Sequence, residues 1–417
     1  MQKKDCVAIK FCRLCESKNL KNVFDLGKTP LANSYSKPQE SIKLKIFPLR
    51  LNLCKNCGHL QLSHSIRPEK MFSNYLYKTN TSKKNFLHFK KYATTISKTF
   101  KKNRGKILDI ASNDGTFLSF FNKDKFLRIG IDPAKNLKKE AEKKGIYQIN
   151  DFFTEKVSNK VKKKFGSFDI ITANHVCAHV ENLNDFFRGV KNLLNENSIF
   201  IFEVSYRGSV LKGNTFDTIY HEHLDYHALL PILKFSKKFG FHVINFDIND
   251  AQGGSIRIYI SNRKKKIKLK KIDNQIFKEK NNYRLYQNKT YKNFKRNINY
   301  NKDQLNKILL QLKDKKFKIA GYGAAAKTTT LLHYFNLQKK NFIKHIFDDN
   351  KLKHGLCMPG TKIKIINPNL IDKKKIDILI IFAWNYSEFI MKKIKRNNKF
   401  FYRNGQFLIP FPKPKII

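Results

Sequence analysis

GKILDIASNDGTFLSFF (residues 105–121) is the stretch that decides the fold. Its first six residues form a short apolar run typical of a buried strand, a polar turn with a glycine follows, and the last part suits a helix. Two further units of this kind come next, LRIGIDPAKNLKKEAEKKG (127–145) and FDIITANHVCAHVENLNDFFRGVKNLL (168–194). Alternation of strands and helices predicts an α/β fold with a parallel sheet between two helical layers.

Four of the seven cysteines form two C-x-x-C pairs, Cys12 with Cys15 and Cys54 with Cys57. Thiolates at this spacing are typical of a structural zinc site, and the loop-rich segment between the pairs has little core of its own. The spacer, residues 16–53, is longer than in common zinc ribbons. Because four cysteines complete a tetrahedral shell, we predict structural rather than catalytic Zn²⁺; two turns with buried cysteines are the alternative.

The chain divides into three predicted domains. A zinc-binding domain covers residues 1–78, the first α/β block covers 79–245, and a second Rossmann-like block covers 246–417. The second block contains FKIAGYGAAAKTTTLLHYF (317–335) and IDILIIFAWNYSEFI (376–390), which again alternate between strand and helix patterns. The Lys- and Asn-rich stretch 262–316 is predicted as exposed helices or a linker.

Composition limits the class of partner. The 417 residues carry a formal net charge of +52, which favours anionic partners. Lysines are spread along the chain and outnumber arginines, whereas nucleic-acid sites cluster charge and use arginine forks. We therefore predict no nucleic-acid partner, while an anionic small molecule such as a nucleotide fits the charge. No apolar run reaches membrane-spanning length and no signal peptide is visible, so we expect no membrane insertion and a reducing, cytoplasmic location.

The turn after the first strand lies where open α/β sheets bind ligands. It lacks G-x-G-x-x-G, and it carries Asn113 and Asp114 where a pyrophosphate would need bare backbone amides. Asp132 ends the next strand, in the position of a carboxylate that binds ribose hydroxyls. The pattern resembles the adenosine site of class I S-adenosylmethionine methyltransferases, with Ala111 replacing the usual glycine. A generic strand–turn–helix unit is the alternative.

The predicted methyl-donor site combines the ends of four strands. Asp151 and Phe152 are candidates for binding the adenine amino group and for stacking on its ring, and Asn174 and His175 end the following strand. The full set of predicted donor-binding residues is Asp109, Ala111, Asn113, Asp114, Gly115, Asp132, Asp151, Phe152, Asn174 and His175.

GYGAAAKT (321–328) is a second nucleotide-like turn. It fits G-x-G-x-x-A, a permitted dinucleotide-binding variant, and Asp348 and Asp349 end the next strand. Ala326 replaces the second glycine of the phosphate-binding G-x-x-x-x-G-K-T motif, which argues against an NTPase. Three interpretations stay open: a nicotinamide-dependent oxidoreductase, a helix N-terminus with Lys327 holding the phosphates of a nucleotide-linked substrate, and close helix–sheet packing.

DTIYHEHLDYH (217–227) concentrates three histidines, two tyrosines and three acids. It does not fit the zinc motif H-E-x-x-H, because Asp225 stands where the second histidine would be. Proton transfer and a polar strand without chemistry remain as interpretations.

Together the motifs resemble one family, the three-domain sugar C-methyltransferases. The likeness covers nearly the whole chain, through CRLC, PLANSY, CKNCGHLQL, MFSNYLYKTNTS, DIASNDGTFL, GIDPAKN, ANHVCAHVENL, FDTIYHEHLDYH, QGGSIRIYI, GYGAAAK and WNYSEF. Ala111, Thr328 and the Lys-rich stretch are departures. The resemblance implies S-adenosylmethionine, structural zinc, and methylation of carbon 3 of a nucleotide-linked 4-keto-deoxysugar bound between the last two domains, in deoxysugar or polysaccharide synthesis. We expect a monomer or a weak homo-oligomer.

The resemblance also assigns roles. A ketone acidifies the adjacent C–H, so the reaction needs a base, which the resemblance places at His223, and a group that stabilises the enolate oxygen. It makes Tyr220 a donor or proton relay and Glu222 a support for the imidazole, and His179 contacts the sugar.

Four further residues are predicted substrate contacts: Tyr75, Tyr77, Tyr322 and Lys327. For each tyrosine the alternative is packing with a satisfied hydroxyl. The rival functions are a methyltransferase acting on another carbon acid or on oxygen, the oxidoreductase, and a basic zinc-containing nucleic-acid binder.

Overall fold

The computed structural model describes residues 5–72, 83–263, 269–397, 400 and 404–417. The predicted substrate contacts Tyr75 and Tyr77 lie outside these residues. Within the described ranges, no helix has both the length and the apolar character that a bilayer crossing requires.

The N-terminal region is built from short antiparallel strands around the two cysteine pairs. Its elements are β1 (Cys6–Ala8), β2 (Leu20–Thr29), α1 (Pro38–Ser41), β3 (Phe47–Cys54), β4 (Leu60–Leu62), β5 (His64–Ile66) and α2 (Glu69–Phe72). Strands β2, β3 and β4 form one sheet, and β1 pairs with β5. Alternate residues of β3 are buried, which is the pattern of a sheet with one face on a core.

The middle region is a seven-stranded sheet. Its elements are α3 (Lys83–Thr99), β6 (Gly105–Ile110), β7 (Phe126–Ile131), α4 (Lys138–Lys143), β8 (Tyr147–Ile149), α5 (Glu155–Phe165), β9 (Phe168–Asn174), α6 (Leu183–Leu193), β10 (Leu194–Ser205), α7 (Arg207–Lys212), β11 (Asp225–Tyr226), α8 (Leu229–Lys238), β12 (His242–Asn249) and β13 (Ser255–Ser261). The sheet order is β12-β13-β10-β9-β6-β7-β8. Strand order reverses between β6 and β9, and such a switch point opens a crevice at the carboxyl ends of the strands.

Two features of this region depart from the sequence expectation. The predicted boundary after residue 245 falls inside β12, and β13, which contains most of QGGSIRIYI, runs antiparallel to both β10 and β12 in the same sheet. Strand β11 does not belong to the middle sheet. Its two residues pair with Gln61 and Leu60 of β4, so the strand carrying Asp225 extends the N-terminal sheet.

The C-terminal region is a second, smaller doubly wound sheet. Its elements are α9 (Leu269–Phe277), a π-helix (Lys278–Asn282), α10 (Asn288–Asp314), β14 (Ile319–Tyr322), α11 (Ala326–Tyr334), β15 (His345–Phe347), β16 (Lys364–Ile366), β17 (Ile378–Ile381), α12 (Ser387–Asn397), β18 (Gln406–Ile409) and β19 (Lys415–Ile416). The strand order is β16-β15-β14-β17-β18-β19, with only β19 antiparallel to its neighbour.

The Lys- and Asn-rich stretch is not an exposed linker. Tyr291, Phe294, Ile298, Leu305 and Leu309 are buried along one face of α10, at the spacing of an amphipathic helix. The Phe294 ring packs edge-on against Phe24 of β2, with 5.3 Å between centroids. Lysines occupy the opposite face, which hid this apolar stripe in the composition.

Candidate functional site

The four predicted zinc ligands come together. The sulfur atoms of Cys12, Cys15, Cys54 and Cys57 all lie within 4.8 Å of one another, with 3.5 Å between the Cys12 and Cys57 sulfurs and 3.6 Å between those of Cys15 and Cys54. Zn–S bonds of about 2.3 Å place tetrahedral sulfur atoms about 3.8 Å apart. The four thiols are free rather than disulfide-bonded, so the donor set and the spacing both fit Zn²⁺.

The turn after β6 has an unusual backbone. Ala111, Asn113 and Gly115 all have positive φ, at 57°, 52° and 72°. A Cβ added to Gly115 would lie 2.4 Å from Ile146 Cδ1 and 3.2 Å from Ala141 Cα, and together with the positive φ this favours glycine. Ala111 adopts a left-handed conformation that glycine takes without strain, which is the crowding expected from the missing glycine.

Asp132, at the end of β7, closes this turn. One carboxylate oxygen accepts the backbone N–H of Asn113 at 2.9 Å, and the other accepts that of Ala134 at 2.8 Å. Burial is the main cause that raises the pKa of Asp132. Each oxygen retains a lone pair for a further donor, as ribose hydroxyls would supply.

Asp109 and Asn174 face each other across neighbouring strands. The Asp109 carboxylate accepts hydrogen bonds from the Thr172 hydroxyl at 2.6 Å and from Asn174 Nδ2 at 3.3 Å. Burial raises the pKa of Asp109 to about 7. Asn174 Oδ1 is buried without a hydrogen-bond partner in the described residues, so an acceptor remains available at the carboxyl edge of the sheet.

Of the other predicted donor-binding residues, Asp114 is buried against Lys144, whose Nζ lies 3.4 Å from its carboxylate. Asp151 follows β8, is exposed, and accepts the backbone N–H of Phe152. Because β8 is the edge strand of the middle sheet, both residues lie at the rim of the sheet.

Sequence analysis missed a buried carboxylate beside His175. Glu203, near the end of β10, is fully buried and contacts His88 and Arg257 at 2.7 Å, Asn249 at 2.9 Å and His175 at 3.3 Å. Burial alone would raise the pKa of Glu203, but the hydrogen bonds from the two histidines and the charge of Arg257 hold it well below its usual range. The acid in SIFIFEVSY, at the end of a predicted strand, was the available signal.

His223 and Tyr220 form a hydrogen-bonded pair. The Tyr220 hydroxyl lies 2.8 Å from His223 Nε2, and His223 Nδ1 lies 2.8 Å from the Thr218 carbonyl. A carbonyl only accepts, so Nδ1 carries the proton and Nε2 presents a lone pair to the tyrosine. Burial, with the neighbouring His179, holds the pKa of His223 well below its usual range.

Glu222 contacts His179 rather than His223 through its backbone. Its backbone carbonyl accepts from His179 Nδ1 at 2.7 Å, and its carboxylate accepts from Asn33 of PLANSY at 2.7 Å. The imidazole of His223 is oriented by Thr218 instead, so the expected carboxylate support differs from the observed geometry. The rings of His179 and His223 are 4.9 Å apart, and burial lowers the pKa of His179 to about 4.

The rest of DTIYHEHLDYH is structural in character. His221 contacts the Phe47 carbonyl at 3.3 Å and packs edge-on against the Phe47 ring. Asp225 forms an ion pair with Arg13 at 2.9 Å and a 2.7 Å contact with His59. Asp217 accepts the Trp384 indole N–H at 2.7 Å, and burial raises the pKa of Asp217 to about 6.

Lys327 lies at this same junction. Its Nζ sits 4.8 Å from the centroid of the Trp384 ring and 3.3 Å from Asn385 Oδ1. Its charge opposes the rise in the pKa of Asp217 that burial causes, and it adds to the lowering of the pKa of His223. Trp384 also approaches Gly253, where an added Cβ would lie 3.1 Å from the indole ring. Lys327 therefore lies close enough to His223 to influence its charge state, and its role as a substrate contact stays a prediction.

The side chain of Tyr322 makes its contacts within the C-terminal region. Its ring is buried in the core of the C-terminal sheet, and its hydroxyl donates to Asp349 at 3.0 Å, an acid that also pairs with Lys393. Its position favours the packing alternative over substrate contact.

The turn of the second nucleotide-like motif is closed by its own chain. Asp348 Oδ2 accepts the Ala324 N–H at 2.7 Å, and the Ala324 carbonyl accepts from both Tyr35 of PLANSY and Lys353 at 2.7 Å. A carboxylate therefore occupies the amide that a pyrophosphate would use. PLANSY contacts both this turn, through Tyr35, and the segment 217–227, through Asn33 and Glu222.

Three family models match the chain in succession. "Putative zinc binding domain" matches residues 12–72, "Methyltransferase domain" matches 86–246, and "C-methyltransferase C-terminal domain" matches 250–412. This chain is a three-domain C-methyltransferase. The predicted fold class, with a zinc domain, a class I methyltransferase domain and a second Rossmann-like domain, is confirmed, as is the prediction of a class I S-adenosylmethionine-dependent enzyme.

Known proteins resemble this C-methyltransferase to different extents. C-methyltransferase NovU of Streptomyces niveus is 27% identical over 408 residues, covering 97% of this chain and 96% of the relative. The plantazolicin methyltransferase BpumL in complex with SAH is 16% identical, covers 43% of this chain and 84% of its own, and has a TM-score of 0.35. Magnesium protoporphyrin IX methyltransferase (ChlM) from Synechocystis PCC 6803 with bound SAH is 11% identical, with 43% and 83% covered and a TM-score of 0.34. TM-scores this low carry no argument about the site.

Proposed function

We propose that this C-methyltransferase transfers a methyl group from S-adenosylmethionine to carbon 3 of a nucleotide-linked 4-keto-deoxysugar through an enolate. The observation that carries the proposal is the Tyr220–His223 pair. The unprotonated Nε2 of a buried neutral imidazole accepts the hydroxyl hydrogen of the tyrosine. A carbon nucleophile needs such a base, because the C–H beside a ketone must be broken before carbon can attack.

The pair suits a proton relay. His223 Nε2 takes the hydroxyl proton of Tyr220 as the tyrosine oxygen takes the proton from carbon 3, and the C–H electron pair becomes the enolate. Carbon 3 then forms a bond to the methyl carbon, and the sulfur–methyl bond breaks with its electrons left on sulfur. The hydrogen bond from His223 Nδ1 to the Thr218 carbonyl holds the ring in the tautomer this role requires.

A second role for Tyr220 follows from the same geometry. Rotated away from His223, its hydroxyl would donate to the enolate oxygen, a stabilisation that buried donors provide strongly. The 2.8 Å bond between Tyr220 and His223 favours the relay. His179, whose Nδ1 is held by the Glu222 carbonyl and whose ring lies 4.9 Å from that of His223, is the proposed sugar contact.

The carboxyl edge of the middle sheet fits the methyl donor. When bound, S-adenosylmethionine supplies an electrophilic methyl group on a sulfonium. Asp132 has lone pairs for ribose hydroxyls, and Asn174 Oδ1 is a buried acceptor for the donor's ammonium group. The buried acids Asp109 and Asp114 suit a cationic ligand better than a pyrophosphate. Asp151 and Phe152, at the rim, remain proposals for adenine.

The substrate's phosphates fit the side of the site where Lys327 lies. Lys327 stands at the start of α11, and because Asp348 takes the Ala324 amide of this turn, the lysine side chain is the group we propose for the phosphates. The neighbouring Trp384 indole offers a flat apolar surface and is held in place by Asp217. The nicotinamide alternative receives no support here, because Asp348 fills the amide position of the turn.

The decisive variant is His223→Asn. We expect methyl transfer to fall by roughly 10²- to 10⁴-fold, the usual contribution of a general base, while donor affinity stays near wild type. Mass spectrometry of a panel of keto-sugar nucleotides incubated with the donor measures the first, and calorimetry measures the second. His242→Asn, at the start of β12, is the control. Unchanged turnover in His223→Asn would remove His223 from the mechanism, and methylation of a different carbon acid alone would overturn the substrate assignment.

A further inference from the structure

Both cysteine pairs send a side chain to the same carboxylate. Arg13 lies between Cys12 and Cys15, and its Nε contacts the two oxygens of Asp225 at 2.9 and 3.1 Å. His59 follows Cys57 by two positions, and its Nε2 contacts Asp225 at 2.7 Å. The side chains of His59 and Asp225 are fully buried, so water does not screen these contacts.

Asp225 is part of the catalytic segment. It stands two residues after His223 in β11, which pairs with β4 immediately beyond His59. The contacts from Arg13 and His59 therefore fix the segment through its side chain, and the strand pairing fixes it through its backbone. Movement of Asp225 would displace the Thr218–His223–Tyr220 arrangement, because these residues share one short, turn-rich stretch.

Arg13 also fixes the second histidine. Its guanidinium donates to the backbone carbonyls of Val180 and Glu181, which directly follow His179, with 2.9 Å to the Glu181 oxygen. One side chain of the zinc turn thus bridges the segments that carry His179 and His223. Only a planar fork with several N–H donors satisfies a carboxylate and two carbonyls at once.

We propose that Arg13 and His59 are positioning residues through which the zinc site sets the geometry of the two active-site histidines. The proposal rests on the proposed function in taking His223 as the base. Zinc fixes the shape of both C-x-x-C turns, and each turn aims one side chain at Asp225. Loss of the metal would release both side chains at once and leave a buried carboxylate without its partners, which is strongly unfavourable.

Arg13→Gln tests this coupling with the zinc ligands intact. We expect zinc content and donor affinity to match wild type, KM to change little, and kcat to fall by about 10- to 100-fold, as for other residues that orient catalytic groups. Arg13→Lys keeps the charge without the fork and should recover only part of the rate. Arg50→Gln is the matched control, because Arg50 pairs with exposed Asp25 in the same sheet.

A spectroscopic readout separates this proposal from the substrate assignment. In ¹⁵N-histidine-labelled protein, the Nδ1–H signals of His179 and His223 should shift in Arg13→Gln and, in the same direction, in wild type stripped of zinc by a chelator. They should stay unchanged in Arg50→Gln. If the substrate is misassigned, turnover is absent from wild type and from every variant. The zinc content can still be measured, and the histidine signals still distinguish Arg13→Gln from Arg50→Gln. The positioning role would be overturned if Arg13→Gln kept the wild-type histidine signals and turnover. It would also be overturned if Arg13→Gln lost its zinc.

Discussion

His227 is a buried imidazole whose two ring nitrogens have no hydrogen-bond partner among the described residues. Burial lowers its pKa from 6.5 to about 4. Because the unfolded chain binds a proton near 6.5 and the folded chain only near 4, acid favours the unfolded chain over this range. The buried imidazole therefore lowers the free energy of unfolding more and more as the pH falls, by up to roughly 3 kcal/mol.

His227→Leu should remove this cost. We expect the variant to gain stability relative to wild type as the pH falls from 7 to 4, by up to about 3 kcal/mol. Urea unfolding at several pH values measures the difference. Leu229→Ala, which lowers stability nearby without removing an ionisable group, should shift the unfolding midpoint without this trend. A pH-independent difference for His227→Leu would contradict the prediction.

At the same scale, the residues of DTIYHEHLDYH divide by their partners. The family resemblance implied proton-transfer roles for Tyr220 and His223, and the structure places the two side chains in contact at 2.8 Å. It could not assign the partner of each nitrogen, since the Thr218 carbonyl that orients His223 carries no side-chain signature. Their catalytic roles remain predictions until the His223→Asn measurement.

At the scale of the element, the turn between β14 and α11 depends on Gly323. Its φ is 98°, and an added Cβ would lie 2.7 Å from Ala383 Cβ and 3.0 Å from the Ala383 nitrogen. Backbone atoms of the neighbouring strand end cannot give way as a flexible side chain would. The glycine is therefore required both by its conformation and by the closeness of the next loop.

Gly323→Ala and Gly355→Ala separate these two causes. Gly355 also has a positive φ, 85°, but nothing lies within 4 Å of an added Cβ. We expect Gly355→Ala to cost roughly 1 kcal/mol from the backbone alone, and Gly323→Ala to cost 1–3 kcal/mol more because of the clash. Chemical denaturation of both variants measures the costs; equal values would contradict the packing argument.

The turn after β6 shows how far an element is readable from sequence. The strand, the glycine and the acid proposed to bind ribose were all visible in LDIASNDGTFL and GIDPAKN. The replacement of the usual glycine by Ala111 was visible as well, but only the structure shows that Ala111 is left-handed, with φ at 57°. The antiparallel β13 was not visible, because a hairpin strand has the same alternation whichever sheet it joins.

At the scale of the whole molecule, the zinc site links the regions. Cys54→Ser removes one of four ligands, and we expect loss of the metal, a lower thermal midpoint and loss of methyl transfer. Atomic emission spectrometry gives the zinc content and calorimetry gives the midpoint. Cys6→Ser, outside the cluster, is the control and should retain zinc. A Cys54→Ser protein with full zinc content would contradict the four-cysteine assignment.

The sequence by itself determined the local units of this protein. Strand–turn–helix alternation, the paired C-x-x-C motifs and the crowded histidine segment depend on residues close together in the chain, where periodicity and spacing are physically decisive. Fold class and the zinc ligands were accordingly predictable, and the enzyme class followed from the resemblance of the combined motifs to a known family.

Only the tertiary structure decided which units meet. The contacts of Arg13 and His59 with Asp225, of Asn33 with Glu222, and the Glu203 cluster join residues separated by more than a hundred positions or lying on different strands. A single sequence carries no signal for such pairs, because burial and charge pairing depend on how sheets and loops pack. Through that packing Asp225, which breaks a metal motif in the sequence, becomes the carboxylate that Arg13 and His59 of the two zinc turns both contact.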